Sequence, residues 1–502
     1  MIISPQSRSS IGLGKPLYRS VPTAANEIYL IALIVLTLFH FWLASYLPPS
    51  EDELYYWAWA NHLQGSYFDH PPLVAYLIAL STRIFGDTIF GIRFFACLGG
   101  FVAFLGIGRL MPQKDLLTFL LASPIFFLGA VLMTPDVPLI VCWVLYVLWL
   151  VRANEALWRW SLDPVSRVYR SSPVGWLNWI AGGVLLGLGG LSKYTMVLAV
   201  PCTFLVLATR TRARAWLGGF AVHLAVAGLV CLPVFLFNRA HGGLPFAFQW
   251  NHAMGDARPA AFFGFVGSQI LLLGGLPFLL LPWILARTSF LLSDSRSQVC
   301  YFFFVVPFLF FLLQAMRGPL EANWALVAYP TFWPLAGRLL HQNSFKALGR
   351  GLLLVSFALP VVASFLFLIH SLLPLGFVPP AKDRLALLRA RYAVSKSAAE
   401  YINAHYSTLP LFTPTYQWTS YFRFQKLEAQ QLPGIGRPSE FTLSPVSPCG
   451  EKSVIVFEPS GVPASALQGA LTCFAHRESL RQYTASARGE KLETYELVSY
   501  YR

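Results

Sequence analysis

An apolar run and a cluster of carboxylates stand side by side near the start of the chain: IYLIALIVLTLFHFWLASYL at 28–47, then PPSEDELYYWAWANHLQGSYFDHPP at 48–72. The apolar run has 20 residues, which is the length that an α-helix needs to cross a bilayer. Three consecutive carboxylates behind it are costly at the bilayer surface unless they face water or a site. This stretch therefore predicts a membrane span that leads into a water-facing segment. The Tyr and Trp residues of that segment predict an amphipathic helix lying in the interface.

The rest of the chain repeats the apolar half of this pattern. Of 502 residues, 56% are hydrophobic and 12% are charged, and the mean hydropathy is +0.56. Soluble proteins carry roughly 25% charged residues, so lipid is the natural solvent for most of this chain. Apolar runs of spanning length lie at 28–47, 88–109, 116–133, 137–151, 176–192, 194–209, 216–237, 267–286, 299–316, 322–340 and 351–373. We therefore predict an all-α polytopic membrane protein with about 11 transmembrane helices.

Basic residues favour alternate loops between these runs. With the N-terminus inside, the cytoplasmic loops carry 17 Lys and Arg, whereas the outer side before residue 380 carries six. Basic cytoplasmic loops are the topogenic signal of membrane proteins. They account for the net charge of +14 without a nucleic-acid partner, and we expect none.

An odd number of spans puts the C-terminal part of the chain outside the cytoplasm. We expect a cytoplasmic tail at 1–27, a transmembrane domain at 28–379 with outer loops at 48–87 and 238–266, and a small α/β domain at 380–502. In that domain, 383–406 predicts an amphipathic helix, and VIVFE (454–458) and LETYELVSYY (492–501) predict strands. Cys449 and Cys473 either pair in an oxidising compartment or remain two thiols.

Several segments resemble one family. The acidic pair after the first span, the aromatic residues behind it and the turn YFDHPP (67–72) are similar to the lipid-linked-sugar glycosyltransferases of the C-type membrane fold. The pattern looks like that of the bacterial aminoarabinose and galacturonic acid transferases of lipid A, and more distantly like that of protein O-mannosyltransferases. Further similar segments are MTPDVPL (133–139), LSKYTMVLAVP (191–201), WNHAMG (250–255), RGPLEANWALVAYP (317–330) and FTPTYQWTSYFRF (412–424). The resemblance covers about residues 50–425.

The resemblance implies an enzyme that moves a sugar from a polyprenyl-phosphate donor to a hydroxyl on the outer face of a bacterial inner membrane. We expect galacturonic acid or a related sugar, and lipid A or the lipopolysaccharide core as acceptor. A protein acceptor is the second possibility. A transporter or a receptor is the alternative from another class, but transporters place ionisable groups near the midplane, often within inverted repeats. Here the acids gather at the outer ends of the spans, and no repeat is visible.

Three residues are candidates for the chemical step. The resemblance implies that Asp52 is the base that deprotonates the acceptor, with Glu53 as its adjacent alternative. Asp136 would orient the acceptor or the sugar, or would cap a helix ahead of Pro138.

Cations would stabilise the leaving phosphate. Lys193, between two apolar runs, is the first candidate, unless it snorkels to the interface. Arg317 is the second, unless it anchors the end of a span. Glu321 and Asn323 would contact the sugar or pair with Arg317, and Tyr55 is a further substrate-binding candidate.

The resemblance also implies a divalent metal ion and no organic cofactor. The aminoarabinose transferases use a Glu and a His where this chain has Asp69 and His252. The chain departs from them at Asn251, which replaces a Glu, and at His70, which replaces a phosphate-binding lysine and is our substrate-binding candidate there.

Overall fold

The computed structural model describes residues 23–111, 129–162, 174–209, 215–253, 259–273, 275–318, 320–340, 358 and 361–502. At 23–26, 252–253, 259–260, 272–273, 276–277, 340 and 464 it describes the backbone alone.

Helices dominate the first three quarters of the chain. They are α1 (Thr23–Tyr46), α2 (Glu51–Ala60), α3 (Leu73–Phe85), α4 (Ile89–Ile107), α5 (Asp136–Leu162), α6 (Trp176–Gly190), α7 (Ala199–Ala208), α8 (Leu217–Val230), α9 (Leu232–Ala240), α10 (Leu244–Ala253), α11 (Pro259–Leu273), α12 (Leu276–Ala286), α13 (Ser295–Gln314), α14 (Tyr329–Leu340) and α15 (Val361–Leu372). Short helical segments also occur at Tyr194–Leu198, Thr288–Leu291 and Ala322–Ala328.

Four of the described helices, α1, α4, α5 and α13, are long and apolar enough to cross a membrane by themselves. A fifth span forms if α8 and α9, which bend by 50° at their junction, are taken together. The predicted number of about 11 is therefore not confirmed. Shorter apolar helices also occur at Leu73–Phe85, Trp176–Gly190, Tyr194–Ala208, Ala261–Leu271 and Val361–Leu372. The predicted span at 116–133 lies mostly outside the described residues.

Helix α2 follows the first span directly, and local sequence determines where it begins. The Ser50 hydroxyl accepts a hydrogen bond from the Glu53 amide at 3.2 Å, and the Glu53 carboxylate accepts one from the Ser50 amide at 2.9 Å. This reciprocal capping box satisfies amide groups that the first turn would otherwise leave unpaired. The prediction that this helix lies in the lipid interface is wrong, because most of its residues are buried between α3 and the C-terminal domain.

A buried ion pair holds α2 against the first span. Arg93 of α4 donates to both carboxylate oxygens of Glu53 at 2.7 and 2.6 Å, and both side chains are fully buried. The same guanidinium donates to the carbonyl groups of Ala44, Leu47 and Pro48, at the end of α1. Arg93 thereby satisfies helix-end acceptors that have no intrahelical partner.

The C-terminal part folds around a mixed five-stranded sheet in the order β2-β1-β3-β5-β4. The strands are β1 (Leu411–Thr413), β2 (Ala429–Gln431), β3 (Ser453–Pro459), β4 (His476–Ala487) and β5 (Glu490–Tyr501), and the helices are α16 (Arg384–His405), α17 (Tyr416–Phe424) and α18 (Ala464–Ala470). The predicted amphipathic helix and both predicted strands are confirmed as α16, β3 and β5. Cys449 and Cys473, for which the sequence left two states open, form a disulfide bond.

One hydrophobic core joins this domain to the membrane part. Trp57 of α2 meets Phe424 of α17 edge to face, with ring centroids 5.0 Å apart. Tyr55 of α2 meets Phe441 edge to face at 5.2 Å and packs against Tyr416 in a tilted arrangement at 4.7 Å. The acidic segment after the first span is therefore enclosed between the membrane helices and the C-terminal domain.

Candidate active site

The two carboxylate oxygens of Asp52 differ in their hydrogen bonding within the described residues. Its Oδ1 accepts a 2.9 Å hydrogen bond from the hydroxyl of Tyr416, while no donor from the described part of the chain reaches Oδ2. The residue is exposed on one side, and protein encloses it on the others. This removal from bulk water raises the pKa of Asp52; Glu51 and Asp69 add to the effect, and Tyr416 and Arg437 oppose it. A carboxylate with a raised pKa and a free oxygen is suited to accept a proton.

The carboxylate of Asp69 is engaged by two residues. Tyr55 donates to Oδ2 at 2.7 Å, and Arg437 of the C-terminal domain donates to Oδ1 at 2.5 Å. The Arg437 guanidinium also stacks over the ring of Tyr416, 4.2 Å from its centroid. Asp52, Tyr416, Arg437 and Asp69 thus form one connected cluster between α2 and the C-terminal domain.

Glu440 fastens the other side of this cluster. Its carboxylate accepts hydrogen bonds from the Gln64 side chain and the Phe68 amide, both at 2.8 Å. Its own amide donates to the hydroxyl of Tyr55 at 2.5 Å. The Tyr55 hydroxyl therefore both donates and accepts a hydrogen bond within the protein, which leaves it little capacity for the substrate contact that we predicted.

Asp136 and Lys193 form a second centre. The Lys193 ammonium donates to Oδ1 of Asp136 at 2.8 Å, and the Asn323 amide donates to Oδ2 at 2.7 Å. Lys193 is 8% exposed and Asp136 7%, so this ion pair is largely desolvated. The partner that the sequence did not reveal for Lys193 is Asp136, and the partner of Asn323 is Asp136 rather than Arg317.

Two cavities meet at this ion pair. The larger, of about 640 Å³, is lined by Lys193, His70, Tyr194 and Gln249 and otherwise mainly by apolar side chains, among them Phe310 and Trp324. The smaller, of about 250 Å³, is lined by Asp136 and Asn323 and by small or apolar residues of α4 and α5. The ammonium group therefore belongs to one cavity and the carboxylate to the other.

Some predicted site residues are not brought into these centres. Glu53 is fully buried against Arg93, whose charge lowers the pKa of Glu53 although burial alone would raise it. Glu53 is therefore shielded from solvent and engaged by Arg93, and its role as an alternative base stays a prediction. Arg317 and Glu321 are both exposed, line neither cavity and form no ion pair within the described residues. A joint phosphate site of Lys193 and Arg317 stays a prediction.

The metal prediction rests on Asp69 and His252. Both oxygens of Asp69 already accept hydrogen bonds, one of them from the cationic Arg437, and a divalent ion would have to displace this guanidinium. The side chain of His252 lies outside the described residues. The described part of the chain contains no group of three His, Cys, Asp or Glu residues that could hold a metal ion. Asp69 as it stands does not fit a metal ligand, and the ion stays a prediction.

Sequence reasoning missed the residues that the C-terminal domain contributes. Tyr416 lies in a segment noted only for its resemblance, and Arg437 is one arginine in the turn PGIGRPSE (433–440). The turn itself holds a clue, since Gly434 and Gly436 both adopt positive φ, at 77° and 68°. At Gly436 a Cβ would also lie 2.9 Å from the Pro414 carbonyl oxygen. Two such glycines indicate a tightly shaped loop.

Comparisons with known proteins agree with this architecture. Residues 69–238 match the family described as dolichyl-phosphate-mannose-protein mannosyltransferase. The structure superposes on that of ArnT from Cupriavidus metallidurans with a TM-score of 0.60 and 16% identity, covering 94% of this chain and 98% of that one. The chain is thus similar to the C-type membrane glycosyltransferases, in sequence over residues 69–238 and in fold over most of its length. This glycosyltransferase spans the membrane several times and uses a lipid-phosphate sugar donor.

Two curated relatives of the glycosyltransferase are informative. It is 25% identical over 364 residues to the lipid A galacturonosyltransferase RgtD of Rhizobium johnstonii, a match over 69% of this chain and 72% of that protein. It is 27% identical over 339 residues to the undecaprenyl phosphate-alpha-4-amino-4-deoxy-L-arabinose arabinosyl transferase of Pseudomonas aeruginosa, over 62% of this chain and 58% of that protein.

Proposed function

We propose that this glycosyltransferase moves a sugar from an undecaprenyl-phosphate-linked donor to a hydroxyl of an envelope glycolipid, at the periplasmic face of a bacterial inner membrane. Lipid A or the lipopolysaccharide core is the acceptor that its relatives favour, since RgtD is named for transfer to lipid A. Galacturonic acid is the sugar to test first for the same reason. ArnT from Cupriavidus metallidurans, which shares the fold, has been crystallised with undecaprenyl phosphate.

The state of Asp52 is the observation that carries this proposal. One oxygen is fixed by Tyr416, the other has no donor within the described residues, and Asp52 is exposed to solvent. A sugar transfer to a hydroxyl needs a base in this position. The raised pKa of Asp52 brings its basicity closer to what proton transfer near neutral pH requires.

The proposed step uses the free oxygen of Asp52. The acceptor hydroxyl gives its proton to Oδ2 while its oxygen forms a bond to the anomeric carbon of the sugar. The bond between that carbon and the phosphate oxygen breaks, and its electron pair stays on the prenyl phosphate. Because negative charge develops on the leaving phosphate, hydrogen-bond donors and cations near it stabilise the transition state more than the ground state.

The larger cavity supports a lipid donor. It offers about 640 Å³, is mainly apolar, and carries Lys193 and His70 among its few polar residues. An isoprenoid chain fits such a lining, and its phosphate would lie near the Lys193 ammonium. Asp136 forms an ion pair with this ammonium, so a bound phosphate would share Lys193 with Asp136.

The predicted divalent ion has no step in this proposal. If Asp69 and His252 do bind a metal, EDTA will lower the melting temperature and abolish transfer, and a divalent cation will restore both. If Asp69 serves only Arg437 and Tyr55, EDTA will change neither quantity.

The disulfide bond supports a periplasmic C-terminal domain. Disulfides persist in oxidising compartments such as the bacterial periplasm and are rare in the cytosol. The bond between Cys449 and Cys473 therefore fits an outer location for the whole site, because Tyr416 and Arg437 belong to the same domain.

Reconstitution tests the proposal directly. The purified full chain in nanodiscs receives undecaprenyl-phosphate-linked galacturonic acid, aminoarabinose or mannose, with either lipid A or a Ser/Thr-rich peptide as acceptor, and products are identified by mass spectrometry. We expect glycosylated lipid A with the wild type, none with Asp52→Asn, and unchanged product with Glu400→Gln, a surface carboxylate control. Glycosylated peptide instead of lipid A would replace the proposed acceptor by protein. Full transfer by Asp52→Asn would contradict its role as base.

A further inference from the structure

Two adjacent tyrosines of α2 differ in what their hydroxyl groups do. The Tyr55 hydroxyl donates to Asp69 and accepts from the Glu440 amide. The Tyr56 hydroxyl makes no hydrogen bond within the described residues, although the residue is only 7% exposed. It also retains access to solvent, unlike the Tyr421 hydroxyl, which is sealed without a partner. Tyr56 therefore presents a donor that the protein itself leaves unused.

Tyr56 stands between the two centres of the site. Its ring lies 6.1 Å from that of His70, which lines the larger cavity, and 4.9 Å from that of Trp59. Asp52 and Asp69 of the outer cluster and Asp136 of the inner ion pair all act on its hydroxyl. Through its contact with the His70 ring, Tyr56 adjoins the larger cavity.

This position keeps the hydroxyl protonated. Burial raises the pKa of Tyr56 well above that of a free tyrosine, and the carboxylates of Asp52 and Asp69 raise it further. A phenolate is thus excluded at physiological pH. Because these carboxylates repel other anions, a phosphate that binds in the larger cavity needs several hydrogen-bond donors. Lys193 and His70, which line that cavity, are two of them.

We propose that Tyr56, rather than Tyr55, is a substrate-binding residue, and that its hydroxyl donates a hydrogen bond to the phosphate of the lipid-linked donor. The inference rests on the proposed function, because it assumes a prenyl phosphate in the larger cavity. A hydrogen bond to a charged acceptor is roughly twice as strong as a neutral one. The bond would strengthen further as the sugar leaves and charge builds on the phosphate, so Tyr56 would contribute to the rate as well as to affinity.

The test measures the binding of undecaprenyl phosphate alone, by titration into the purified full chain in detergent. We expect Tyr56→Phe to bind about 10-fold more weakly or worse, as loss of a hydrogen bond to a charged group predicts, and to show a lower kcat. Tyr421→Phe removes a buried hydroxyl that contacts no donor site, and should leave both quantities unchanged. Tyr55→Phe should lower the melting temperature, because it loosens Asp69 and Glu440.

Two results would overturn the inference. Unchanged affinity and kcat in Tyr56→Phe would remove its role while the proposed function stands, provided that the wild type binds undecaprenyl phosphate. Loss of affinity in Tyr55→Phe at an unchanged melting temperature, with Tyr56→Phe normal, would return the role to Tyr55. If the wild type itself binds no undecaprenyl phosphate, the proposed function fails, and the inference with it.

Discussion

Tyr416 and Asp52 lie 364 positions apart in the chain, and the tyrosine hydroxyl donates to the carboxylate at 2.9 Å. The bond connects the C-terminal domain to the helix behind the first membrane span. It fixes the rotation of the carboxylate and determines which oxygen remains free for the acceptor. The candidate base therefore lies on α2, but a side chain of the C-terminal domain orients it.

Removing this bond should change the pH dependence of the enzyme. Tyr416 lowers the pKa of Asp52 by stabilising its charged form, so Tyr416→Phe will raise that pKa. A base must be deprotonated to work, and the acid limb of kcat/KM will move to higher pH. We also expect kcat at the plateau to fall about 10-fold or more, because the lost hydrogen bond is made to a charged carboxylate.

Tyr421 on the same helix provides the matched control. Its hydroxyl has no partner within the described residues, so Tyr421→Phe should leave the pH profile where it is. An acid limb that stays in place in Tyr416→Phe would show that Asp52 does not titrate in the transfer step.

The pair of Glu53 and Arg93 should matter for stability rather than for chemistry. Both side chains are fully buried, and removing one partner leaves an unpaired charge in the protein interior. Glu53→Gln should therefore cost about 3–5 kcal/mol, seen as a lower melting temperature in detergent. The folded fraction should keep the wild-type pH profile. A variant of normal stability without turnover would instead return Glu53 to the role of a base.

Lys193 and Asp136 should show coupled effects on stability and separate effects on turnover. Lys193→Met leaves Asp136 buried without its cation, so it should lower both the melting temperature and kcat. Adding Asp136→Asn should restore much of the stability, because the unpaired charge is gone, while turnover stays low. Recovery of turnover in the double variant would mean that Lys193 serves only Asp136. Arg317→Gln tests the second predicted cation: kcat should fall if Arg317 also stabilises the leaving phosphate, and an unchanged kcat would leave it as an exposed span-end residue.

Topology can be checked with the disulfide as well as with fusions. The asymmetry of 17 basic residues to six predicts that a reporter at residue 165 is cytoplasmic and that one after residue 502 is periplasmic. Cys449 and Cys473 should react with a membrane-impermeant maleimide in spheroplasts, but only after reduction. Reporters that give the same compartment would contradict the predicted orientation.

The sequence predicted the features that depend on local pattern. Hydrophobic periodicity predicted helix α16 and strands β3 and β5. The positions of the carboxylates of 51–53 and Asp69 relative to the spans predicted at which end of the spans the acidic residues gather. The number of spans was harder to predict, since the structure divides several apolar stretches into short helices. Residues 194–208 divide into a turn of 3₁₀ helix and the short α7, where the pattern suggested one continuous span.

The pairing of charged side chains could not be predicted, because it depends on contacts between distant segments. Glu53 and Asp52 are neighbours with the same chemistry, and only the position of Arg93 makes one structural and leaves the other open. Nothing local to Arg437 predicts that it reaches Asp69, 368 positions earlier. The same holds for Tyr55 and Tyr56, whose different roles depend on where Glu440 lies.

The enclosure of α2 by the C-terminal domain has a consequence for how the enzyme is made. Ribosomes synthesise a chain from its N-terminus, so Asp52 reaches the membrane long before Tyr416 and Arg437 have been synthesised. Until residues 411–501 are translocated and their strands pair, the carboxylate has neither its hydroxyl partner nor the neighbouring guanidinium. A nascent or truncated chain would thus hold an unassembled centre, and donor lipid would be safe from it until synthesis ends.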